Sequence, residues 1–178
     1  MQESVSADKT KDFIVQALFA LMETMPFEKI SVTDITKKAG IGRATYYRHF
    51  ETKEDIIRYF FTREMHGFNA DIHPTTVNKD DCYEMIFRVF SGMKEKKDAL
   101  SVIIKAHLES IYLEFLNKSM LENHQERWQQ FSVYEAYYAA GCLFNVSLAW
   151  VRNDCAESVK TMADMYFAQV FPDEKKIF

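Results

Sequence analysis

Glycine and proline are scarce in this chain of 178 residues, 5 and 3 respectively, and that scarcity excludes a turn-rich all-β fold, whose corners draw on both. Long helices with few interruptions are the alternative. Cysteine is equally scarce: Cys82, Cys142 and Cys155 are an odd number with no C-x-x-C pair, which excludes a disulfide framework and a zinc knuckle and fits a reducing cytoplasm. The opening residues MQESVSADKTKDF hold no apolar core that a secretion machinery could read. Catalytic fingerprints are missing too, with no H-E-x-x-H, G-x-S-x-G, P-loop or dinucleotide-binding run anywhere. The nearest raw material does not assemble. His107 and Glu109 are two apart and face different sides of a helix, while His66 and His73 supply two metal ligands without a third. No enzyme, cofactor or metal site is expected.

What is present is apolar and aromatic: 48% hydrophobic and 15% aromatic residues in a chain of net charge -4. The negative sum hides a division along the sequence. Residues 1–30 carry three basic and five acidic side chains, residues 31–63 carry seven and four, and residues 64–178 carry twelve and seventeen. Only the middle stretch is positive. Screening confines a charged patch to about 10 Å at ordinary salt, so a local excess is what attraction to phosphate requires. A solvated helix face has the same charge, and other features must separate the two.

Helical spacing of Phe13, Ile14, Ala17, Leu18, Leu21 and Met22 predicts a first helix from about Ala7 to Met25, stopped by Pro26. Ser31 with Asp34 three residues on predicts a capped second helix through Ala39, closed at Gly40. After Ile41 and Gly42 a third helix of about eight residues runs from Arg43 to Phe50, and so tight a connection between two short helices describes a helix-turn-helix. Thr52 caps a fourth helix through about His66. The stretch Gly67 to Lys79, GFNADIHPTTVNK, is rich in turn formers. Further helices are expected near 80–96, 98–109, 111–127, 132–152 and 156–171. The fold class is therefore all-α with about nine helices.

The stretch GIGRATYYRHF, Gly40 to Phe50, gathers two Arg, one His and three rings. At 100° per residue Tyr46 and Phe50 share one side, toward Ile35 and Ala39 of the preceding helix. Ala44, Thr45, Tyr47 and Arg48 point the other way, with Arg43 able to swing round and His49 at the edge. Such a face suits a major groove: Arg pairs bidentately with guanine, Thr and Ala touch a thymine methyl, and Tyr, His and Lys53 donate to phosphates.

The run from Phe27 to Ile57 resembles the DNA-binding region of TetR-type transcriptional regulators, with its capped helix, A-G turn, T-x-Y-x-H-F core and K-E pair. Ser31, Ile35, Ala39, Gly40, Thr45, Tyr47, His49, Phe50, Lys53 and Glu54 agree with that pattern. Thr36 stands where Ala is usual, and Gly42 where Ser or Asn caps the reading helix. The PFEKISV entry and the late GCLFNVSLAW helix are similar to a branch that includes activators of dihydroxyacetone kinase operons. The resemblance implies a DNA-binding domain over residues 1–52 and an effector-binding and dimerisation domain over 53–178. It implies a cytoplasmic homodimer acting as a ligand-responsive repressor on palindromic duplex DNA. Its DNA-binding residues would be Ser31, Gly42, Arg43, Ala44, Thr45, Tyr47, Arg48, His49 and Lys53. The competing reading is a TetR-like coactivator or adaptor that binds a protein in place of DNA.

Residues 133–151 hold a single charge, Glu135, in nineteen positions. With Glu135 and Asn145 inside, a membrane span is set aside in favour of a helix buried on both faces. One face would meet its own core and the other a second copy, in a four-helix bundle with the last helix. Tyr137, Gly141, Phe144, Leu148, Met162 and Tyr166 are the expected interface. By analogy with the family, Phe87, Phe90, His107, Tyr112, Phe115 and Trp128 would line a pocket for a small amphipathic effector, with His107 or Tyr112 as its polar handle. The same rings at the same spacing also fit plain core.

Overall fold

The structure, a computed structural model, describes residues 2–69, 79–126 and 132–170. Among these residues nine α-helices follow one another: α1 (Gln2–Met22), α2 (Val32–Ala39), α3 (Arg43–His49), α4 (Lys53–Asn69), α5 (Lys79–Glu95), α6 (Lys97–Lys105), α7 (Glu109–Glu126), α8 (Val133–Arg152) and α9 (Val159–Val170). The fold is all-α. A 3-10 turn, Phe27–Lys29, joins α1 to α2.

Local chemistry accounts for the ends of the N-terminal helices. The Leu21 carbonyl accepts from the Thr24 and Met25 amides and from the Thr24 hydroxyl, which closes α1 before Pro26. At α2 the Ser31 hydroxyl accepts from the Asp34 amide, and the Asp34 carboxylate accepts from the Ser31 amide. Gly40 ends the helix with φ 69° and ψ 31°, a left-handed backbone that costs glycine little. Thr52 and Asp55 repeat the reciprocal cap at α4. Thr36, where the family pattern has Ala, is buried, and its hydroxyl donates to the Thr33 carbonyl. The extra polar atom is therefore satisfied.

Phe13, expected on the inner side of α1, is 55% exposed. Ile14, Val15, Ala17 and Leu18 are the residues buried there. At 100° per residue the centre of that stripe lies about 120° from Phe13, so the helix has a polar side that happens to carry one ring.

The core is continuous from Ile14 of α1 to Tyr166 of α9. α4 links its two ends, packing on α1, α5 and α7. α8 lies chiefly along α7, and α9 chiefly along α5. Glu135, the one charge in the apolar run, serves as the capping partner of Ser132 at the start of α8. Asn145, Ala149 and Arg152 of the same helix face outward. No helix among the described residues is long and apolar enough to cross a membrane.

Candidate nucleic-acid interface

α3 is a short rod fixed by its inner side. Tyr46 is 0% exposed and Phe50, which follows the helix, is buried as well. The Tyr46 ring meets Phe50 at 6.3 Å, and Phe50 meets Tyr59 of α4 edge-on at 5.6 Å. Burial pushes the Tyr46 phenol up to about 12, and its oxygen finds no hydrogen-bond partner among the described residues. The ring is thus held by packing alone.

The opposite side of α3 is open. Arg43, Ala44, Tyr47 and Arg48 are exposed, Tyr47 to 52%, and Thr45 and His49 are partly so. The Tyr47 ring stands perpendicular to that of Tyr46 at 5.2 Å, which gives the outer phenol a fixed base. Two guanidiniums, a phenol and a methyl therefore present themselves from one exposed helical face, the set needed to read base edges and phosphates. Lys37 and Lys38, exposed in the last turn of α2, add to the positive charge. No motif marks them in the sequence, because basic residues are common in the last turn of any helix.

Two expected DNA contacts are held within the unit. The Ser31 hydroxyl donates to the Asp34 carboxylate at 2.6 Å, so its proton is already engaged beside a negative charge. Those hydrogen bonds hold the Asp34 carboxyl below its ordinary range. Lys53 reaches back across the fold: its ammonium donates to the Phe27 carbonyl at 2.7 Å and the Ile30 carbonyl at 2.8 Å, over the Phe27 ring. Its first role is to tie the start of α4 to the 3-10 turn, and a single N–H is left for a phosphate.

Gly42 stands at the N-cap of α3 with φ -80° and ψ 155° and no side-chain cap. Nothing lies within 4 Å of a Cβ built there. Gly42→Ser should therefore fit without strain and supply the missing acceptor, raising unfolding free energy by a few tenths of a kcal/mol. Thermal denaturation measures it, and a lowered melting temperature would contradict the cap geometry.

The expected interface and pocket residues divide differently. Tyr137 and Gly141 remain accessible on α8. Leu148, Met162 and Tyr166 do not, being buried in the core of a single chain. Tyr166, 2% exposed, donates its hydroxyl to the Ala139 carbonyl at 2.9 Å, and Phe144 turns toward Tyr112. The residues exposed on α8 and α9 include instead Tyr134, Tyr137, Tyr138, Asn145, Ala149 and Met165, beside the polar Lys160, Thr161, Asp164 and Gln169 of α9. Of the pocket residues, His107 is exposed at φ 55° and closes α6, where it donates to the Ile104 carbonyl; it faces no core. Phe90 is fully buried against Trp150 and Tyr166, and Phe87 is partly buried on the same helix. Tyr112 and Phe115 come together with Phe61 of α4, the rings stacked at 4.9 and 6.1 Å. Sequence reasoning misses Phe61 because it belongs to a helix assigned to capping and connection. Trp128 and His73 lie outside the described residues, as does the side chain of His66.

Residues 14–60 match the family model described as bacterial regulatory proteins, tetR family. The chain is 27% identical over 113 residues, 62% of its length and 27% of the other's, to an uncharacterized HTH-type transcriptional regulator, YxbF, of Bacillus subtilis. It is 33% identical over 55 residues, 31% of its length and 29% of the other's, to the HTH-type dhaKLM operon transcriptional activator DhaS of Lactococcus lactis. The matched stretches thus span about a quarter of these curated relatives. Among solved structures, Lin0861 from Listeria innocua superposes with a TM-score of 0.75 at 17% identity, covering 90% of this chain and 88% of that one.

Proposed function

We propose, from the premise that the chain belongs to the tetR family of bacterial regulatory proteins, that it is a DNA-binding transcriptional regulator working as a homodimer in the cytoplasm. The observation that carries this is the two-sidedness of α3, with Tyr46 and Phe50 buried and Arg43, Ala44, Tyr47 and Arg48 exposed opposite them. In this reading α3 enters the major groove. Arg43 and Arg48 read base edges, while Tyr47, His49 and the remaining N–H of Lys53 hold phosphates. Residues 1–52, with Lys53 directly after them, carry the DNA contacts, and the rest of residues 53–178 carries pairing and effector response.

A second copy meets the outer face of α8 and α9. Its apolar residues Tyr134, Tyr137, Tyr138 and Met165, and the open space above Gly141, support this. The effector is a small amphipathic molecule held near Phe61, Tyr112 and Phe115, and its arrival shifts α4, which packs on α1 and on α7. Its absence leaves the operator occupied, as in a repressor.

Selection of bound duplexes from random DNA by the full chain tests the reading. Enriched sites should hold two inverted half-sites about 34 Å apart, or a multiple, because a two-fold protein axis imposes itself on the DNA. Sedimentation should give a dimer. No enrichment over the starting pool would favour the adaptor reading and end this one.

A further inference from the structure

A further positive charge lies beside α3, on a residue outside the reading face. Lys11 of α1 sits with its ammonium 4.9 Å from the centre of the Tyr59 ring. Tyr59 in turn packs on Phe50, the residue next to His49. One aromatic bridge thus carries Lys11 of α1 to the exit of α3. The charges that bear on the His49 imidazole are Lys11 and Arg48, both positive. The acids nearby do not offset them. Asp12, next to Lys11, is ion-paired with Arg63 of α4. Glu51, two residues beyond His49, and Glu54 and Asp55, at the start of α4, are not among the charges felt by His49.

We infer that Lys11 and His49 together hold one phosphate of the DNA backbone, beside the groove in which α3 lies, and that His49 takes up a proton as it does so. The inference rests on the DNA-binding reading above and adds to it a contact from α1 and a dependence on pH.

The physical argument starts from the unbound protein. Two cations, Lys11 of α1 and Arg48 of α3, bear on the partly buried imidazole with no acid among the charges acting on it, an arrangement that disfavours a further positive charge there until an anion arrives. Partial burial, then Lys11, then Arg48 hold His49 below its ordinary value near 6.5, so the ring is neutral at pH 7. A phosphate oxygen reverses the balance. It offsets the Lys11 charge and accepts a charge-assisted hydrogen bond from an imidazolium, which is stronger than the bond a neutral ring donates. The DNA-bound protein therefore binds more protons than the free protein. By linkage, affinity rises as pH falls through the bound-state value and levels off below the free value.

Anisotropy titration of the full chain on a selected duplex and on a random duplex, at pH 5.5 to 8, tests this. The parent should tighten about tenfold per half-site for each unit by which DNA raises the His49 value. His49→Gln should bind more weakly at low pH and lose that response. Lys11→Met keeps the stem over Tyr59 and removes only the charge. It should weaken selected and random duplex alike, reduce the log–log salt slope by about 1 per subunit, and move the pH response upward because one repelling charge is gone. An unchanged salt slope in Lys11→Met, or an intact pH response in His49→Gln, overturns the inference while the parent still binds. A parent that binds neither duplex overturns the DNA-binding reading itself, and this one with it. Thermal melts of both variants confirm the fold in which the comparison is made.

Discussion

With Arg43 and Arg48 both replaced by alanine, the chain is expected to bind its selected duplex no better than random duplex while melting at the parent's temperature. Each bidentate arginine pair contributes about 1–3 kcal/mol of discrimination against a wrong base. In the homodimer proposed above, two such residues per subunit make four pairs, about 4–12 kcal/mol together, enough to cover the gap of about 4–10 kcal/mol between specific and non-specific binding. Stability should hardly change. Both side chains are exposed, and substitutions at such positions fall within about 0.5 kcal/mol. Residual binding should keep a steep salt dependence, because the proposed phosphate contacts of Tyr47, His49 and the lysines are left in place. Anisotropy on the two duplexes together with a thermal melt measures both halves. If discrimination survives the double substitution, the side chains that read sequence are not on α3.

The helices of the DNA-binding unit were legible because their ends are specified by a few residues in fixed chemical relation. Ser31 with Asp34, Gly40 at a left-handed turn and Thr52 with Asp55 each satisfy helix-end groups that only those side chains or that backbone can satisfy. The inner and outer sides of α3 followed from periodicity, since a seven-residue helix with Tyr46 within it and Phe50 directly after it on the same side can be buried in one way. Periodicity fails where two inner sides compete. Leu148, Met162 and Tyr166 read as a seam between copies, yet α7 and α5 of the same chain reach them first. Spacing along one helix says which residues are apolar and cannot say which of several partners covers them.

His107 failed for a different reason. Its place among apolar residues suggested a polar group facing a core, but the chain turns there. The left-handed backbone that closes α6 carries the ring out to solvent. Sequence offers little warning, because Gly or Asn is the usual residue in that conformation. Lys53 shows the reverse case. Its family position marked it as a phosphate donor, and its hydrogen bonds to Phe27 and Ile30 span more than twenty residues of chain, a distance that no local pattern records. Lys11 escaped the motif altogether and became visible only once Tyr59 had been placed beneath it.

Tyr46→Ala is expected to unfold much of the DNA-binding unit, and Tyr46→Phe to leave it as stable as the parent or more so. Removing a fully buried ring costs about 3–5 kcal/mol in lost transfer energy and cavity, a large fraction of the roughly 5–15 kcal/mol that holds a domain folded. The hydroxyl has the opposite sign. It is buried with no partner among the described residues, and such a group carries a desolvation penalty of about 1–3 kcal/mol that phenylalanine does not incur. The same phenol gives a signature in alkali. Its value in the folded chain is about 12 against 10.0 for the free side chain, so its contribution to stability is complete below pH 10 and lost as pH rises toward 12. Chemical denaturation at pH 9 and at pH 11.5 should then show Tyr46→Phe losing less stability than the parent. Tyr112 and Tyr166, whose values burial also raises, keep their own share of the decline in both proteins. Equal losses in the two would mean that the Tyr46 hydroxyl reaches water, and that α3 is held less firmly from within than its exposed face requires.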